Sequence, residues 1–227
     1  MVKAVFFDLF FTLIVPSYLE ENNEYDVLKL SKEEWESYAE NDLLYRERAL
    51  GIINDEVSIV KKILELMSFE ATKEQITEII NRRGERMKRA LMNVDKEIMD
   101  TIRSLKALDI KICLISNADC MDCKYWSQSP LSKLFDYAVF SCNVGMLKPE
   151  SGIYKFALNR IGVNPENSLF VGDGGSDELF GAKRVGMKTV FTEYLDKKED
   201  KKRKELMAEA DYHIDKFSHL LKIIFAK

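Results

Sequence analysis

Lys3-Ala-Val-Phe-Phe-Asp8-Leu-Phe-Phe-Thr12, an apolar run that ends on a carboxylate, decides how the rest of the chain is read. So short and bulky a run, bounded by Lys3 and Asp8, suits a buried strand rather than a helix. Lys111–Ser116, Tyr137–Ser141, Ser168–Gly172 and Lys188–Phe191 have the same character, each rich in Val, Ile or Phe. Helical spacing fills the gaps. Ile98, Ile102, Leu105 and Leu108 recur every three or four residues, and Ile153, Phe156, Ala157 and Ile161 form a second stripe that ends at Gly162. Strands alternating with helices imply parallel crossovers, so the expected fold is α/β with a doubly wound, mostly parallel sheet covered on both faces.

One stretch breaks this rhythm. From Pro16 to Val94 there is no strand-like run, only amphipathic helix patterns. Ser31…Glu34 and Thr72…Gln75 carry capping-box spacing, and Val57, Val60, Ile63, Leu64 and Met67 give one helix an apolar face. The sequence therefore predicts a core built from residues 1–15 and 95–227 and a helical cap over 16–94, with hinges near Pro16 and near Asn93 to Asp95. The mixed-sign run Asp196–Glu205 reads as a solvated surface segment. Ile214, Phe217, Leu220, Leu221 and Ile224 suggest a closing helix on the sheet.

Composition excludes several classes of function. The 227 residues carry a formal net charge of -4 with 32% charged residues, which leaves no basic footprint for nucleic acid or an anionic membrane. No apolar run approaches the roughly 20 residues that span a bilayer, and Met1-Val-Lys3 leading straight into a strand-like run reads as the start of the core rather than as a signal peptide. The expected location is the cytoplasm, where Cys113, Cys120, Cys123 and Cys142 stay reduced. The single C-x-x-C pair, Cys120 and Cys123, lacks an evident fourth ligand for zinc.

In an open α/β sheet, ligands bind outside the carboxyl ends of the strands. Four polar clusters lie there in order: Asp8…Thr12, Ser116-Asn117, Lys148-Pro149, and Gly172-Asp173-Gly-Gly-Ser-Asp177. Phe-Phe-Asp-Leu-Phe-Phe-Thr-Leu, Leu-Ile-Ser-Asn-Ala-Asp, Val-Gly-Met-Leu-Lys-Pro-Glu and Phe-Val-Gly-Asp-Gly-Gly-Ser-Asp-Glu resemble the four motifs of the haloacid dehalogenase-like hydrolases. The resemblance implies a three-layer, Rossmann-like core with an inserted cap, and a soluble hydrolase acting on a small molecule through an ester on Asp8. It also implies that Ser116 and the helix start after it hold phosphoryl oxygens, with Asn117 nearby and Thr12 at the loop, and that Lys148 offsets the gathered charge. A Mg²⁺ ion would take Asp8, the backbone carbonyl of Phe10 and Asp173, with Asp177 direct or through water.

Position 10 departs from the pattern. Most phosphatases of this superfamily carry an acid two residues after the nucleophile, and this chain has Phe10. General acid assistance is typically worth about 10² to 10⁴ in rate, so three readings stay open. One is a phosphatase using a good leaving group or an acid from the insert, such as Glu20, Glu21 or Asp26. The second is a carbon–halogen hydrolase, because halide leaves without a proton. The third is a binding or regulatory protein that has lost turnover. Arg46, Arg48, Arg82, Arg83 and Arg86 are candidates for an anionic substrate but equally fit the polar faces of their helices, and His213 and His219 read as structural.

Overall fold

A computed structural model describes residues 1–225. Six parallel strands form one sheet in the order β3-β2-β1-β4-β5-β6: β1 Ala4–Phe7, β2 Lys111–Ser116, β3 Tyr137–Phe140, β4 Ser168–Gly172, β5 Lys188–Thr192 and β6 Tyr212–Ile214. The α/β class expected from alternating patterns is the observed one. β6 went unrecognised in the sequence because three residues, Tyr-His-Ile, carry too little periodicity to register.

Side chains alternate across β1, and this splits the core in two. Val5 and Phe7 join Leu114, Val171 and Val190 under Ile98, Ile102 and Leu105 of helix α5 (Lys96–Ala107), with Phe217 and Leu220 from the chain's last turns. Ala4 and Phe6 face the other way, with Cys113, Ile115 and Phe170, against Ile153, Tyr154 and Ala157 of α8 (Ser151–Ile161) and Leu179 and Ala182 of α9 (Glu178–Arg184). The stripe on α8 ends where expected, at Gly162, whose φ of 70° few other residues adopt. The expected closing helix begins only at His219 (α11, His219–Phe225), since Ile214 belongs to β6. Among the described residues no helix is long and apolar enough to cross a membrane.

Between β1 and α5 lie a 3₁₀ turn and four helices: α1 Lys32–Ala39, α2 Asp42–Ala49, α3 Glu56–Leu66 and α4 Lys73–Met92. Ser31 Oγ accepts from the Glu34 N–H at 3.1 Å, and Thr72 and Gln75 cap each other reciprocally, so both helix starts read from the sequence exist. Trp35, Leu44, Ile59, Ile63 and Ile79 share a third apolar cluster. Val57 is exposed, and Ile59 takes the buried place. α4 leaves this cluster at its end, sending Ala90 and Leu91 into the core under the sheet.

Candidate active site

The order of the sheet reverses between β1 and β4, so the carboxyl ends of these two neighbours open a crevice. Asp8 follows β1 and Asp173 follows β4, which brings two acids from distant sequence to one place. Glu178, first residue of α9, is the third. The three carboxylates are buried and offer oxygens that all lie within 4.8 Å of one another. Lys148 binds two of them, with its ammonium on Asp8 Oδ1 and on Glu178 Oε2. Glu178 Oε1 also accepts from the Gly174 N–H at 3.2 Å.

Burial drives the titration of this group. Loss of solvent pushes the Asp8 carboxyl up, Lys148 acts against that, and Asp173 adds to it. Glu178 is raised well above the usual range by burial and then by Asp8. Burial alone would lower Lys148, but Asp8 and Glu178 outweigh it, so the ammonium is held charged. Hard oxygen donors in a buried, excess-negative cluster fit a small divalent cation such as Mg²⁺.

Asp177, expected to be a ligand, is not among the clustered acids. It is exposed, with φ 48°, and Ser176 before it has φ 51°. Two successive left-handed residues turn the chain so that the next acid, Glu178, enters the site instead. The sequence offers a signal for this: Glu178 lies five residues after Asp173 and opens an apolar helix, where a carboxylate is favoured.

At the end of β2, Asn117 lines the cavity and Ser116 does not. Asn117 Oδ1 accepts from the Lys148 N–H at 2.8 Å, and its Nδ2 donates to the Lys148 carbonyl at 3.1 Å, so Asn117 clamps the backbone that carries the lysine. Ser116 is fully buried, and its hydroxyl lies 3.5 Å from the Asn117 carbonyl. Thr12 is buried beneath its loop and does not line the cavity, and its Oγ1 has no hydrogen-bond partner among the described residues. Phe11, at φ 58°, reverses the chain there and sends Thr12 inward. Phe10 does reach the cavity.

Above the carboxylates lies a cavity of about 790 Å³ whose roof comes from the inserted segment: Tyr18, Glu36, Glu40, Tyr45, Arg48, Arg83 and Arg86. Glu20, Glu21 and Asp26 do not line it. Asp26 Oδ2 instead accepts from the Asn23 N–H at 2.6 Å. Three of the arginines have anionic partners inside the protein. Arg48 and Arg83 meet at Asp119 Oδ2 at 2.8 and 2.7 Å, Arg83 also reaches Asp122 at 2.8 Å, and Arg86 pairs with buried Glu24. Arg46 reaches Glu150 at the surface and Arg82 pairs with Glu78 on its own helix. Asp119 caps the short helix α6 (Cys120–Cys123) and Asp122 lies within it, so their pairs with Arg48 and Arg83 fasten the insert to the segment after β2.

The charge run after β5 also proves partly internal. Lys198 Nζ lies 2.6 Å from Asp173 Oδ2 and 2.6 Å from Asp196 Oδ2, at the edge of the cavity. All four cysteines are free, with the Cys123 and Cys142 sulfurs 4.0 Å apart.

The haloacid dehalogenase-like hydrolase pattern matches residues 2–186, and the chain belongs to that family. It is 32% identical over 107 residues to bifunctional epoxide hydrolase 2 of Rattus norvegicus, covering 45% of this chain and 19% of that protein. It is 38% identical over 95 residues to the glyceraldehyde 3-phosphate phosphatase of Pyrococcus furiosus, covering 41% and 38%. The chain thus spans well under two thirds of the length of these relatives. Among solved structures, the 2-haloacid dehalogenase from Pseudomonas syringae pv. Tomato superposes with a TM-score of 0.68 at 21% identity, over 99% of this chain and 98% of that one. A HAD family enzyme from Bacteroides thetaiotaomicron, in complex with magnesium and inorganic phosphate, gives a TM-score of 0.67 at 18% identity over 88% and 98%. These two likenesses establish the shared fold.

Proposed function

We propose that the protein is a Mg²⁺-dependent phosphatase that hydrolyses a small phosphorylated metabolite through an acyl phosphate on Asp8. The observation that carries this reading is the buried trio Asp8, Asp173 and Glu178, with Lys148 bound to two of its members. Two unit charges 4 Å apart interact by about 4 kcal/mol at an effective dielectric of 20, so a carboxylate cannot readily approach a phosphate dianion without added positive charge. Displacement of halide from a neutral carbon has no such need.

In this reading Asp8 attacks phosphorus, the P–O bond to the leaving group breaks, and water then cleaves the resulting acyl phosphate to restore Asp8. Lys148 holds Asp8 and the transferring oxygens together. Glu178 keeps the lysine in place, and Asn117 fixes its backbone. A bound Mg²⁺, taken by Asp8, Asp173 and Glu178, supplies the positive charge that lets two anions meet. Phe10 provides no proton, so substrates with a stable leaving anion are favoured: aryl or acyl phosphates over alkyl ones. The inserted helices, roofing the cavity, choose among substrates and keep bulk water from the ester.

The absent acid at Phe10 favours a second reading, hydrolysis of a carbon–halogen bond. One paired assay separates them: phosphate and halide release, each with and without Mg²⁺, with Asp8→Asn as control. Mg²⁺-dependent phosphate release that disappears in Asp8→Asn is the expected result. Halide freed from 2-haloacids, with no phosphate from a broad panel, overturns the proposal. Inactivity in both arms points to a binding protein.

A further inference from the structure

Asp196 and Lys198 lie in the charge-rich segment that follows β5, yet Lys198 reaches the Asp173 carboxylate at the end of β4. The neighbouring chain holds this loop down. Arg203 Nη2 pairs with Glu193 Oε1 at 2.9 Å, and Leu206 of α10 (Asp200–Glu209) sits so close to Gly174 that a Cβ there would meet its Cδ2 at 2.4 Å. Lys198 is only 19% exposed, and its ammonium also stands 6.0 Å from the centre of the Phe11 ring.

The oxygens of Asp173 are both engaged. Oδ1 accepts from the Gly175 N–H at 3.1 Å and Oδ2 from Lys198 at 2.6 Å. Lys148 already serves Asp8 and Glu178, so Lys198 is the second ammonium on a group of three carboxylates. It differs from Lys148 in one respect. Its other partner, Asp196, lies outside the trio and is half-buried, so Lys198 has somewhere to go that does not compete for the same oxygens.

Resting on the proposal that Asp8, Asp173 and Glu178 hold a divalent cation, we infer that Lys198 is an internal competitor for that cation, and that Asp196 is the anchor to which it withdraws. An ammonium within hydrogen-bond distance of an oxygen that must ligate the ion opposes it both by occupying that oxygen and by like-charge repulsion. Binding the ion therefore includes breaking the Lys198–Asp173 contact while the Lys198–Asp196 contact persists. The pair sets the metal affinity of the site. It acts through Asp173 and touches no substrate, so Lys198 is a positioning residue for the cation.

Isothermal titration of the full chain with Mg²⁺ tests this without reference to turnover. Lys198→Met is expected to bind Mg²⁺ about tenfold more tightly than the natural protein, because repulsion and competition vanish together; a tenfold change is ~1.4 kcal/mol. Asp196→Asn is expected to bind more weakly, since Lys198 then has only Asp173. That change also removes a nearby negative charge, which weakens cation binding whatever Lys198 does. The double variant separates the two effects: in the K198M background the loss caused by Asp196→Asn should shrink at least threefold. Lys198→Gln serves in place of Lys198→Met if the latter fails to fold by circular dichroism.

Equal or weaker Mg²⁺ binding in Lys198→Met overturns the inference. If Asp173→Asn abolishes binding at the same time, the metal site itself stands and only the role of Lys198 falls. If neither the natural protein nor any variant binds Mg²⁺, both ideas fall. Binding that is measurable only once Lys198 is removed supports the inference in its strongest form.

Discussion

Asp119→Asn is the substitution that most directly tests what fastens the inserted helices to the sheet. Asp119 is 1% exposed and spends its two oxygens differently. Oδ1 accepts from the N–H groups of Met121 and Asp122 at 2.8 and 3.1 Å, capping α6, while Oδ2 receives Arg48 and Arg83 at 2.8 and 2.7 Å. Asparagine keeps the shape and the cap. Its amide nitrogen, however, then faces two guanidinium groups, donor against donor, in a place water does not reach. Removing one partner of a buried ion pair typically costs 3–5 kcal/mol; because Glu40 and Asp122 still neutralise the arginines, the lower end applies, about 3 kcal/mol. For a chain of this size each kcal/mol moves Tm by roughly 2–4 °C, so thermal unfolding followed by circular dichroism at pH 7 should fall by about 6–12 °C.

The pH dependence of that gap is a sharper check. Burial works to raise the Asp119 carboxyl, but Arg83 and then Arg48 outweigh it and hold it below the usual carboxylate range. The folded state therefore binds fewer protons than the unfolded one in acid, and the stability Asp119 supplies is present above its unfolded value of roughly 3.9. It is lost as pH drops through the folded value. The difference between the natural protein and Asp119→Asn should stay constant from pH 7 to about pH 5 and narrow below about pH 4. A Tm change under about 2 °C at pH 7, or a gap that widens in acid, would refute the reasoning.

Phe10→Asp should raise hydrolysis of alkyl phosphates by about tenfold or more and that of aryl phosphates far less, since only poor leaving groups need the proton; kcat/KM on a matched ester series reads this out, and equal gains would place the donor elsewhere. Gly51→Ala should lose about 2 kcal/mol or more in urea unfolding, because Gly51 has φ 71° and an added Cβ would lie 2.2 Å from the Cys142 carbonyl oxygen; an unchanged midpoint would mean that the loop shifts at no cost. Cys120, whose thiol burial pushes up to about 12, should be alkylated by iodoacetamide at pH 8 about a hundredfold more slowly than a free thiol, as read by mass spectrometry of the peptide, and fast labelling would contradict that burial.

Strand ends were the readable part of this sequence. Asp8, Lys148 and Asp173 each follow a short apolar run, and parallel crossovers oblige such residues to share one edge of the sheet. Glu178 was not readable in the same way. Choosing between Asp177 and Glu178 requires knowing that Ser176 and Asp177 adopt left-handed backbone angles, which residues other than glycine do rarely. The partners of the arginines were illegible for a different reason. Residues 48 and 83 lie on separate helices, and only the packing of α2 and α4 reveals that both meet Asp119. Lys198 was hidden by its company, since a run of alternating charges looks solvated unless one knows that the loop bearing it leaves β5 beside β4.

The sheet order carries a consequence for assembly. Since β1 sits beside β4 and β4 beside β5, Asp173 joins Asp8 on one side and Lys198 on the other only when strands from opposite ends of the sequence have paired. A nascent chain halted before β4 is laid down would hold Asp8 and Lys148 but no Asp173, and so would lack a member of the proposed cation site. On that proposal, cation uptake during refolding trails the recovery of helical signal and reports the moment at which the last central strands lock.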